Sequence, residues 1–83
     1  MSKHDRTLAA VFSTPAPAHV KWRDIEAMIR AKGGATKEGK GSRVRIEING
    51  YRATFHRPHP SPDTDKGAVE DLRMFLTRAG VTP

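Results

Sequence analysis

The chain is 83 residues long, has no cysteine, and carries 15 Lys and Arg against 9 Asp and Glu, for a formal net charge of +6. That length holds one domain with a small core, and the lack of cysteine excludes a disulfide scaffold and a cysteine-ligated zinc site. No apolar run approaches the roughly 20 residues that span a bilayer, and the opening Met1-Ser2-Lys3-His4-Asp5-Arg6 leads into no signal-peptide stretch. The expectation is a soluble, cytoplasmic protein whose basic surface meets nucleic acid or an acidic protein, not a membrane.

Lys3 to Phe12 reads as a short helix with Ser2 as N-cap and Leu8, Val11 and Phe12 on one face. Ser13-Thr14-Pro15-Ala16-Pro17 stops it, because proline lacks an amide donor and moves its predecessor out of the α region. A helix this short is expected to dock on the rest of the chain. Lys21 to Lys32 is the second helix. Trp22, Ile25, Met28 and Ile29 recur at helical spacing and read as core, and Gly33-Gly34 ends the helix with a left-handed cap at Gly33.

Ala35 to Glu38 is read as a short edge strand, and Gly39-Lys40-Gly41-Ser42 as a flexible basic loop. Such a loop is able to cradle one phosphate on its backbone amides, although a glycine-rich loop before a strand is usually only a turn. Arg43 to Ile48 alternates, Asn49-Gly50 is a two-residue type I′ turn signal, and Tyr51 to His56 returns. The turn fixes the register. Ile48 faces Tyr51, Ile46 faces Ala53 and Val44 faces Phe55 on an apolar side, while Glu47 meets Arg52, Arg45 meets Thr54 and Arg43 meets His56 on the polar side. The prolines of Arg57-Pro58-His59-Pro60-Ser61-Pro62 forbid further pairing. Gly67 to Ala79 is the last helix, with Ala68, Val69, Leu72, Phe75, Leu76 and Ala79 facing the core. Asp63, Thr64 and Asp65 lie near its start and Gly80 caps its end. The fold class is α+β: an extra N-terminal helix, then an α-β-β-β-α two-layer domain with helices on the apolar sheet face.

His4, His19, His56 and His59 lack the helical ligand spacing and carboxylate partners of a metal site, and no P-loop glycine motif is present, so no metal or cofactor is expected.

Three segments in order resemble the HicA family of toxins. They are Trp22-Arg23-Asp24-Ile25-Glu26 through Gly33-Gly34, then Gly41-Ser42-Arg43-Val44-Arg45-Ile46, then Arg57-Pro58-His59-Pro60 followed by Lys66-Gly67, Val69, Leu72, Leu76, Gly80 and Val81. The match runs over most of residues 21 to 82, which divides the chain into an N-terminal helical extension and linker, 1–20, and a HicA-like domain, 21–83. The resemblance implies a fold similar to double-stranded-RNA-binding domains and a toxin of a toxin-antitoxin system. It further implies an mRNA interferase, cutting RNA without the ribosome, and neutralisation by a HicB-like antitoxin. It also implies a catalytic histidine directly after the glycine-serine pair, where this chain has Arg43. His59 matches the family's loop histidine.

RNA cleavage by the 2′-hydroxyl needs a base for its proton and an acid for the leaving oxygen, and histidine serves either role near neutral pH. Arginine stays protonated, so Arg43 is suited to stabilise phosphate charge but not to take the proton. The register offers His56 across from Arg43 as a substitute. The candidate catalytic residues are therefore His56, His59 and Arg43, with Lys40, Ser42, Arg45 and Arg57 as RNA contacts. Three readings stay open: a histidine-based endoribonuclease, an RNA-binding module without cleavage, and a protein-interaction domain whose basic face engages an acidic antitoxin.

Overall fold

The computed structural model describes residues 2–83. Its elements in chain order are α1 (Lys3–Val11), α2 (Trp22–Ala31), β1 (Ala35–Glu38), β2 (Arg43–Ile48), β3 (Tyr51–His56) and α3 (Lys66–Arg78). The strands form one antiparallel sheet in the order β1-β2-β3. The α+β, α-β-β-β-α arrangement expected from the sequence is the one observed.

Helix ends are fixed by local chemistry. Ser2 and Asp5 form a reciprocal capping box at the start of α1, and the Asp65 carboxylate accepts from the Ala68 amide at 2.8 Å at the start of α3. Beyond α2, the Gly33 and Gly34 amides return to the Arg30 and Ile29 carbonyls. Beyond α3, Gly80 and Val81 return to Thr77 and Leu76 in the same pattern. Both are Schellman ends, and Gly33 and Gly80 supply the positive φ that they need. Gly34 has a different constraint: a Cβ there would lie 2.7 Å from the Glu47 carbonyl oxygen, so its lack of a side chain lets the end of α2 approach β2.

Asn49 (φ 52°) and Gly50 (φ 82°) make the two-residue turn, and the β2–β3 register is the one that turn predicts, Arg43 opposite His56 included. Val44, Ile46, Ile48 and Phe55 are buried against the helices. Tyr51 departs from the expectation of an apolar-face residue, because it stands at the turn end of the hairpin and stays 48% exposed. Phe55 joins the two layers through rings, 6.0 Å from Trp22 of α2 and 6.2 Å, edge-on, from Phe75 of α3.

The first helix packs on α2 and α3, and Leu8 and Val11 enter the same buried cluster as Ile25, Met28, Leu72 and Leu76. Polar ties reinforce this docking. Lys32 meets Asp5 at 2.6 Å, Lys3 meets Asp24 at 3.2 Å, and Arg73 of α3 donates to the terminal carbonyls of Val11 and Ser13. The Val11 carbonyl ends the helix with no continuing partner and the Ser13 carbonyl lies just past the cap, so a guanidinium there satisfies both and complements the helix dipole. No helix among the described residues is long and apolar enough to cross a membrane.

Candidate nucleic-acid interface

One face of the sheet packs on helices, and the other carries the charged half of the alternation. The β1–β2 register sets Lys37 opposite Arg45, and the β2–β3 register sets Arg45 opposite Thr54 and Arg43 opposite His56. A two-residue turn makes its flanking pair hydrogen-bonded, and the pairs alternate from there. The Arg57 amide, donating to the Ser42 carbonyl at 2.7 Å, continues that alternation. The polar pairs of β2 and β3 thus fall on the non-hydrogen-bonded positions, where facing Cα atoms approach to about 4.5 Å and side chains lie closest.

At the loop end of this face is an open cavity of about 300 Å³ lined by four cations, Lys37, Lys40, Arg43 and Arg45, with Glu38, Gly39 and Thr54. Among the described residues, the side chains of Lys37, Lys40 and Arg43 have no hydrogen-bond or ion-pair partner. Arg45 lies 4.0 Å from Glu47, and its Nε is enclosed without an acceptor. Four cations around one cavity, with an N–H still lacking an acceptor, make a surface complementary to phosphate.

The one carboxylate of the lining, Glu38, is engaged from behind. Arg57 Nη1 donates to Glu38 at 2.7 Å, while its Nε and Nη2 donate to Glu26 of α2 at 3.3 and 3.0 Å. These carboxylates, Glu38 first, raise the guanidinium pKa above its already high value. Arg57, expected as a phosphate contact, is therefore turned to the helix side and occupied with two acids. Its effect on the cavity is indirect, through the charge of Glu38.

The structure brings together Lys40, Arg43 and Arg45 of the sequence candidates. It places Ser42 exposed at the loop end and His56 exposed beside Arg43 by register. His59 is exposed in the following loop, with no hydrogen bond or ion pair among the described residues, and it does not line the cavity. In the loop 39–42 the Gly39 amide is used on the Arg43 carbonyl at 2.9 Å. Lys37 is the residue that sequence reasoning missed. Its signal was the alternation of Thr36 and Lys37, legible only once the β1–β2 register was known. Among the described residues no group of three or more histidines and acids is placed to hold a metal ion.

No curated protein and no solved structure matches the chain. The family model described as the HicA toxin of bacterial toxin-antitoxin matches residues 22–81, from the first residue of α2 to just past α3 and so across the whole sheet. With the match covering well over half of the 83 residues, the chain belongs to the HicA toxin family.

Proposed function

We propose that this toxin is a metal-independent endoribonuclease, an mRNA interferase that cuts RNA at the basic end of the open sheet face. The observation that carries the reading is the pairing of Arg43 with His56 at the rim of a four-cation cavity. The cations bind the phosphodiester backbone without reading base sequence. His56 takes the proton of the 2′-hydroxyl as its oxygen attacks phosphorus, and the guanidinium of Arg43 stabilises the charge that builds on the phosphoryl oxygens. Cleavage of the P–O5′ bond leaves a 2′,3′-cyclic phosphate and a 5′-oxygen that needs a proton. His59, the family's loop histidine, is the second candidate for that transfer. The family implies a cognate antitoxin. A HicB-like protein is the partner we propose, acting in the cytoplasm on a toxin whose domain is residues 21–83 and whose residues 1–20 form an appended helix and linker.

The test is RNA cleavage and RNA affinity for the wild type and His56→Ala. The expected loss is about 10²- to 10⁴-fold in cleavage, the usual worth of a general acid or base, with affinity little changed. Full activity in His56→Ala moves the proton transfer to His59.

The second reading is an RNA-binding protein without cleavage. The observation favouring it is the absence of a hydrogen bond that would orient His56 or His59 among the described residues. It predicts salt-dependent RNA binding with no cut product.

A further inference from the structure

The far edge of the sheet carries features that the RNA reading does not use. With Val44–Phe55 and Ile46–Ala53 as the hydrogen-bonded pairs, the backbone N–H and C=O groups of Arg52, Thr54 and His56 point away from β2, and β3 is an edge strand. None of these outward groups makes a backbone or side-chain hydrogen bond among the described residues. Beside them runs a groove of about 250 Å³ between β3 and α3, with Phe55 and Phe75 toward the core and Met74, 60% exposed, along its wall. Six residues of unbulged, proline-free edge are left uncovered, where proteins usually shorten, kink or cover such a strand.

We propose that this edge seats an extended, acidic segment of a partner protein, which adds a fourth strand next to β3. Main-chain bonds to Arg52, Thr54 and His56 give the affinity, and Met74 takes an apolar side chain of the incoming strand. The charge argument selects the partner. Arg52 and Arg78 line the groove against one acid, Asp71, on a chain of net charge +6. A second copy fits badly, since it brings the same net charge of +6 and the same Arg52 and Arg78 to an edge that already carries them. The proposal does not depend on whether the open face cuts RNA.

The test uses the full chain, backbone-amide NMR with hydrogen exchange, and a short peptide alternating Val and Glu, with a Val and Lys peptide as control. The expected result is protection of the Arg52, Thr54 and His56 amides by the Glu peptide alone. Arg78→Glu, an exposed change on α3, should weaken that binding about tenfold by turning an attraction into a repulsion. Thr54→Pro removes an outward amide without removing a bond to β2 and should abolish binding. If Thr54→Pro does not fold, Arg78→Glu decides alone. Protection located elsewhere, equal binding of the Lys peptide, or unchanged binding by Arg78→Glu overturns the proposal. So does protection that grows with protein concentration alone, which means a second copy. Protection of the same amides by a short RNA instead of the peptide assigns the edge to nucleic acid and equally overturns it.

Discussion

Arg57 Nη2 lies 3.0 Å from Glu26 Oε2, and this contact turns a residue at the end of β3 toward α2 and away from the open face. The same guanidinium holds Glu38, the acid at the rim of the basic cavity. If the cavity cations hold RNA phosphates as proposed, Arg57→Ala should weaken RNA binding by releasing the Glu38 charge among them, without any bond from Arg57 to phosphate. Adding Glu38→Gln in that background should restore most of the affinity. A direct bond from Arg57 to phosphate predicts no restoration, so a double-mutant comparison by RNA titration separates the two.

Arg43→His tests how the cavity works. The side chain is exposed on the polar face, so the fold should tolerate the change. If His56 performs the proton transfer with Arg43 as its fixed charge, cleavage should fall or stay level, because a neutral imidazole stabilises developing phosphate charge less than a guanidinium. A rise in cleavage shows a site that lacked a proton acceptor at this position and gains one from the new imidazole. Initial rates on a single RNA substrate read the sign, and inactivity of both folded proteins would sink the nuclease reading.

Gly34→Ala should destabilise the protein by about 1–3 kcal/mol, the usual cost of overpacking. Its Cβ would meet the Glu47 carbonyl oxygen at 2.7 Å and Ile29 Cγ2 at 2.8 Å, and a backbone oxygen in a paired strand has little room to move. Gly39→Ala is the control, because its nearest contact is an ordinary 3.5 Å to Arg43 Cβ. Urea unfolding of both variants gives the comparison, and an equal midpoint for the two contradicts the close approach of α2 to β2.

Acid should loosen the seat of α1. The hydrogen bond from Lys32, and after it those from Ser2, hold the Asp5 carboxyl down at about 2 from its ordinary 3.8. Asp63 is lowered too, first by its hydrogen bond to Lys21. A carboxyl whose folded pKa lies below its unfolded one stabilises the fold above the unfolded value and loses that contribution as pH falls through the folded one. For Asp5 the window runs from about pH 4 down to about pH 2. Asp5→Asn should accordingly narrow the difference in melting temperature between neutral pH and about pH 2.5. An unchanged difference means that the Asp5–Lys32 pair contributes nothing to holding α1.

Local chemistry made much of this fold legible in the sequence. Asn49-Gly50 sets the hairpin register because few residues adopt positive φ in succession, and that register alone places His56 beside Arg43. The apolar periods of Trp22–Ile29 and Val69–Leu76 mark the two helices that cover the sheet, and the paired glycine ends follow from Gly33 and Gly80.

What sequence alone did not decide are contacts between residues far apart in the chain. Asn49, chosen for its turn, also donates its side-chain amide to the Ala79 carbonyl at 2.9 Å and so docks the hairpin on the end of α3. Lys37 joins the cavity only through the pairing of β1 with β2. Arg57 looks like one more exposed cation until α2 brings Glu26 within reach, 31 residues away in sequence. Charge in a sequence gives a sign without a direction. The direction comes from whichever carboxylate the packed helices and strands place nearest, because an ion pair forms over a few ångströms of space regardless of chain separation.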